Sequence, residues 1–135
     1  MTISSRPTEA SVKMNSSRDR DEFLNRLKRS SEVNIVTTGR KTKKRFSVPV
    51  WFVLEGEGKV LLVPTTGSEN NWFKNLARDS RIELSVDGFA IQSKAKLLRS
   101  PKEVEKVLDK FRAKYRSMWS ESYYTKRDVY AEVPV

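Results

Sequence analysis

The chain contains no cysteine and no histidine among its 135 residues. Those two absences exclude disulfide staples, thiolate nucleophiles, Cys/His zinc sites and any triad built on imidazole. Carboxylates are the only metal ligands left, and no metal site is expected. A side-chain acid or base must then be a Lys, a Tyr or a carboxylate, or a bound cofactor must carry the difficult chemistry; a cofactor enzyme is favoured over a hydrolase. No apolar run is long enough to span a bilayer, and the opening residues, Met1-Thr2-Ile3-Ser4-Ser5-Arg6, lack the apolar stretch of a secretory signal. A cytoplasmic protein that does not insert into membranes is the expectation. Acidic residues are also in deficit, 17 against 27 Lys and Arg, for a formal net charge of +10. Such an excess suits nucleic acid, an acidic membrane surface or a phosphorylated small molecule, or simply keeps a small protein soluble; charge alone does not choose.

What is present is enough for one domain with a real core. Residues 1–17 are rich in Ser, Thr and Asn without apolar periodicity and are expected to be a disordered tail; residues 18–135 form the single domain. A helix is expected over Arg18–Arg29, with Phe23, Leu24 and Leu27 on one face, acting as packing or as a lid. Strands follow at Val33–Thr38, Arg45–Leu54 and Lys59–Val63, forming a meander whose middle strand is apolar enough for part of it to be buried on both faces. Pro49 cannot donate to a ladder, so it marks an edge, a bulge or an opening. Trp72, Phe73, Leu76 and Ala77 have helical spacing behind an N-cap at Ser68 or Asn70. Asp87-Gly88 is a two-residue hairpin signal between strands at Ile82–Val86 and Phe89–Leu98. Ser100-Pro101-Lys102-Glu103 is a capping box, and Val104, Val107, Leu108, Phe111 and Tyr115 continue an apolar helical stripe. A last strand is expected at Val129–Val133. The order suits a mainly β fold with flanking helices: a small six-stranded antiparallel barrel.

The candidate site centres on Thr37-Thr38-Gly39-Arg40-Lys41-Thr42-Lys43-Lys44-Arg45, where five of the six residues from Arg40 to Arg45 are cationic. Flanked by strands, they place a cationic tip on a hairpin, which can grip an anion by charge-assisted hydrogen bonds. Pro64-Thr65-Thr66-Gly67-Ser68 ends the third strand and opens into a helix N-terminus, a good seat for phosphate. These stretches, with Pro49 and Asn70-Asn71-Trp72-Phe73, resemble the split β-barrel flavin and deazaflavin oxidoreductases, a superfamily that includes the pyridoxamine-phosphate-oxidase-like FMN proteins and the deazaflavin-dependent nitroreductase and quinone reductase branch. The resemblance spans roughly residues 33–98.

The resemblance implies an FMN-binding type of split barrel and a homodimer. It implies cofactor contacts at Lys41, Arg45, Ser47, Val48, Pro49, Thr65, Thr66, Gly67, Ser68, Asn71 and Trp72, with FMN and coenzyme F420 both open. Lys43-Lys44 departs from the deazaflavin branch, which usually has a Gly there, and Glu69 favours a single phosphate over a long acidic tail. Tyr123, Tyr124 and Tyr130 are candidates to line a substrate pocket, and no catalytic side chain is assigned. The activity implied is hydride transfer between the reduced cofactor and a quinone, nitro compound or enone. Two other classes stay open: a basic small-barrel nucleic-acid-binding protein, and a non-catalytic binder of an anionic ligand such as haem or a phosphorylated metabolite.

Overall fold

The computed structural model describes residues 17–56 and 58–135. The expected tail lies outside the described residues except for Ser17, which opens helix α1 (Ser17–Lys28). Strands β1 (Val33–Thr38), β2 (Arg45–Val50), β3 (Val53–Glu55) and β4 (Lys59–Leu62) follow, then α2 (Asn71–Arg78), β5 (Arg81–Val86), β6 (Phe89–Lys94), β7 (Lys96–Leu98), α3 (Pro101–Lys114) and β8 (Tyr130–Pro134). The strands make two antiparallel sheets of four, in the orders β2-β1-β5-β6 and β3-β4-β8-β7.

The described chain therefore has eight strands where six are expected, and the two sheets do not close into one continuous barrel. Two of the expected strands turn a corner. The run over residues 45–54 breaks at Trp51-Phe52, and the run over 89–98 breaks at Ala95; each passes the chain from the first sheet to the second. The expected meander is accordingly split, with β1–β2 in one sheet and β3–β4 in the other.

Local chemistry accounts for the element ends. Ser100 accepts the Glu103 backbone N–H at 3.3 Å with Pro101 in the first turn of α3. Asn70, not Ser68, caps α2, its side chain accepting the Trp72 N–H at 3.0 Å. Asp87 and Gly88 both take positive φ, 50° and 84°, as the tight hairpin between β5 and β6 requires.

The main core lies between the sheets, where Phe23, Leu24 and Leu27 of α1 meet Ile35, Leu62, Phe73, Leu76 and Leu84. A second core lies under α3, where Val104, Leu108, Phe111 and Tyr115 cover Val53, Leu61 and Tyr130. Each fully buried side chain of this kind contributes about 1.5–3 kcal/mol. Of the expected middle strand only the far end is buried at consecutive positions, Phe52 and Val53; β2 is exposed along nearly its whole length, with Phe46 and Val48 at 50% and 37% exposure. β2 is an edge strand, the place where Pro49 costs the ladder least.

Where β2 hands over to β3, the Tyr115 hydroxyl accepts the Phe52 N–H at 3.0 Å, with the Phe52 and Ser31 carbonyls 2.8 and 2.9 Å away as acceptors. Replacing Tyr115 with Phe orphans a buried backbone donor while keeping the ring. We expect Tyr115→Phe to lose about 1–3 kcal/mol in urea unfolding with the far-UV spectrum unchanged; an unaltered midpoint would show that the corner is held by other contacts.

Candidate functional site

The basic turn is closed by its own backbone. Gly39 N–H donates to the Lys44 carbonyl at 2.7 Å and Lys43 N–H to the Gly39 carbonyl at 3.1 Å. Lys43 takes φ +63°, the left-handed conformation that glycine adopts without penalty, so a lysine is strained at this position. Arg40 then ties the turn to α2: its Nη1 donates to the Asn71 carbonyl at 3.1 Å and to Asn75 Oδ1 at 2.9 Å. Buried Asn75 donates in turn to Thr37 Oγ1 at 3.2 Å.

Between β2 and the start of α2 lies a cleft of about 580 Å³. Phe46 and Val48 wall one side, Asn71 and Trp72 the other, Arg40 and Lys41 stand at the turn, and Thr66 and Glu69 are on the rim. A second chamber of about 350 Å³ shares Val48, Asn70 and Trp72 with the first. Pro49, Val50, Trp51, Val63, Thr65, Tyr123, Tyr124 and Glu32 complete it. The two adjoin along the edge strand, with Val48, Asn70 and Trp72 between them.

Most of the expected residues meet here. Lys41, Ser47, Val48, Thr66, Asn71 and Trp72 line the first chamber; Val48, Pro49, Thr65, Trp72, Tyr123 and Tyr124 line the second. The Ser47 hydroxyl is engaged by Asn34 Nδ2 at 2.6 Å. Four residues lie elsewhere. Arg45 alternates to the opposite side of β2 from Phe46, pairs with Glu83 at 3.1 Å and lines a separate cavity of about 440 Å³. Ser68 spends its side chain and N–H on Asp128, at 2.6 and 3.0 Å. Gly67, at φ +60°, is pressed so closely on the 126–128 segment that a Cβ would sit 2.7 Å from the Lys126 carbonyl. Tyr130 is buried in the core under α3. Gly67 and Ser68 thus anchor the loop rather than face the cleft.

Glu69 stays charged, its carboxyl held below the usual range chiefly by a hydrogen bond from Lys74, and ion pairs with Lys74 and Lys126 at 3.2 and 3.6 Å offset that charge. The Tyr123-Tyr124 segment is tied to α3 by Glu121, which accepts from Arg112 twice at 2.9 Å, from Trp119 Nε1 at 2.5 Å and from Arg127 at 2.9 Å. Arg112 foremost, then Trp119, holds the Glu121 carboxyl down to about 2. Trp51, Glu32 and Asn75 join the site without having been singled out from sequence. Asn75 carried a signal: it is a polar residue on the apolar face of α2. Among the described residues, no cluster of three carboxylates could hold a metal ion, and no helix is long and apolar enough to cross a membrane.

Residues 23–132 match the family described as uncharacterized protein conserved in bacteria (DUF2255). No curated protein matches the chain by sequence. Solved structures resemble it more widely. An F420-H2 dependent reductase is 19% identical, with 76% of this chain and 93% of the other covered at a TM-score of 0.55. A candidate 5-nitroimidazole antibiotic resistance protein from Bacteroides thetaiotaomicron is 16% identical, with 90% and 81% covered at 0.63. A candidate pyridoxamine 5'-phosphate oxidase from Lactobacillus delbrueckii is 16% identical, with 91% and 94% covered at 0.62. Their common split-barrel fold is the one that the turn motifs resemble.

The Glu121 cluster gives the site an acid limit. A folded-state value near 2 against an ordinary 4.5 means that its contribution is complete above about 4.5 and disappears as pH falls toward 2. In the folded protein Trp119 fluorescence should therefore change as pH falls to about 2, where Glu121 takes up its proton, and Glu121→Gln should abolish the change; a Trp119 signal that titrates identically in the variant would refute the linkage.

Proposed function

Since the chain belongs to the DUF2255 family, whose description names no activity, we propose from the site itself that it binds a phosphorylated flavin-type cofactor, FMN or F420, and acts as an oxidoreductase on a small electrophile. The observation that carries this reading is a cationic-ended chamber adjoining an aromatic-walled one, the two sharing Val48, Asn70 and Trp72 as lining. The residues fit such a group. The first chamber has the volume of an ordinary small-molecule site. Its charge sits at one end, where Lys41 and Arg40 meet the N-terminus of α2, and its middle is apolar.

Lys41, Arg40, Thr66 and the opening amides of α2 would hold the phosphate. Val48, Pro49 and Trp72 would wall the ring, because an edge strand presents backbone and side chains to one flat partner. The bound ring supplies the hydride chemistry; the chain orients it and keeps water from one side. Tyr123, 48% exposed at the mouth of the second chamber, can donate a hydrogen bond to a carbonyl or nitro oxygen of the substrate. Glu69 favours a single phosphate, whereas Lys74 and Lys126 beside it would receive an acidic tail, so titration has to separate FMN from F420. A homodimer is part of the proposal, supported by the exposed apolar edge of β2. The nucleic-acid reading is weaker: by strand alternation the outer face of the first sheet carries Arg45, Arg81 and Lys94 but no aromatic side chain on which a base could stack.

The test uses two lysine and arginine variants on opposite faces. Lys41→Ala should weaken FMN or F420 binding by about tenfold or more, as loss of a charge-assisted phosphate contact does. Arg45→Ala should leave it unchanged. Failure of the unmodified chain to bind either cofactor, or an equal loss from both variants, would overturn the proposal.

A further inference from the structure

The second chamber reverses the charge pattern of the first. Trp51, Trp72, Tyr123 and Tyr124 line it, its one ionisable acid is Glu32, and no Lys or Arg contributes. In a chain of net charge +10, a chamber with a carboxylate and no cation is a strong local exception. No ion pair among the described residues engages Glu32.

The fold builds this arrangement rigidly. Val33 pairs with Val50 at the end of the β1–β2 ladder, so Glu32 and Trp51 extend the two strands beside each other. Ser30 pins the Glu32 backbone, its hydroxyl donating to the Glu32 carbonyl at 2.5 Å and accepting the Glu32 N–H at 3.2 Å. One face of the Trp51 ring is covered by Tyr115, stacked at 4.2 Å and 4°. The Tyr123 ring stands at 75° to Trp51 in an edge contact, with centroids 5.5 Å apart, so the two rings form adjoining walls of the chamber at an angle to each other. Ring faces carry negative quadrupole density, and an aromatic corner beside a carboxylate attracts a weakly hydrated cation more than a neutral molecule of the same shape.

The geometry points to a cation site: the second chamber takes the positively charged end of a small nitrogen compound, a quaternary ammonium, a pyridinium or a protonated amine. Resting on the cofactor reading of the adjoining cleft, this narrows the substrate class to small electrophiles that carry a cationic nitrogen group. The site's selectivity for charge does not itself depend on that reading.

The test uses the full chain without cofactor and two probes of one shape, choline and its uncharged isostere 3,3-dimethyl-1-butanol, at matched ionic strength. Indole N–H resonances of Trp51 and Trp72 report binding. Choline should shift both saturably and bind about tenfold or more tighter than the alcohol. Glu32→Gln, a change at an exposed position, should remove most of that preference, and Trp51→Leu should weaken choline binding as well. Equal affinities for the two probes, choline binding indifferent to Glu32→Gln, or shifts confined to Trp119 would overturn the inference. A parallel FMN titration of Glu32→Gln keeps the readings apart. Choline selectivity without cofactor binding leaves the cation site standing and removes the oxidoreductase; cofactor binding without choline selectivity does the reverse.

Discussion

The hydroxyl of Tyr115 is the contact on which the rest of the molecule depends. Buried at the end of α3, it takes the Phe52 N–H where the chain leaves one sheet for the other. Lys114 closes the same corner, donating to the Phe52 carbonyl at 2.8 Å with its ammonium 3.3 Å from the Phe52 ring centroid. Burial lowers the Lys114 ammonium to about 8 and raises the Tyr115 phenol to about 12, so both stay protonated at neutral pH and both remain donors. Because this corner is fixed, β2 stops at Val50 and remains an edge with a free face. Trp51, stacked on Tyr115, becomes a wall of the second chamber instead of a core residue.

Charge is sorted along that free face. Many of the exposed cations are spent on exterior ion pairs such as Lys110–Glu55 and Lys106–Glu103, which contribute little each. At the basic turn Arg40 is used structurally as well, joining the hairpin to α2, so that the cleft's cationic end is braced by the same group that charges it. The opposite end carries Glu32, which makes no ion pair among the described residues, beside aromatic rings. A ligand lying along β2 would therefore meet positive charge at one end and negative charge at the other, a polarity that fixes its direction as well as its place.

Elements whose chemistry is local were legible in the sequence. Asp87-Gly88, the Ser100 N-cap and the α2 cap, expected at Ser68 or Asn70 and formed by Asn70, each act within a few residues. Corners were not legible: the apolar run through Trp51-Phe52 and the alternation through Ala95 both continue while the backbone changes sheets, since a bend alters partners without altering side-chain types. The same limit explains Arg45. Alternation along β2 already separates Phe46, Val48 and Val50 from Arg45 and Ser47, but with both faces exposed it does not say which face meets a cleft; that depended on pairing with β1 and on where α2 lies. Glu32 was hidden for a related reason, as its meeting with Trp51 depends on the register of the β1–β2 hairpin, which pairs Val33 with Val50. Gly67 and Ser68 occupied a loop of the right kind, yet Asp128, sixty residues away, claimed Ser68.

The most direct measurement of the central claim is a structure of the chain with FMN at saturating concentration. The polarity of the cleft requires the phosphate beside Lys41 and the start of α2, with the ring between Val48 and Trp72. Density for the phosphate on the outer sheet face, beside Arg45 and Arg81, would contradict it.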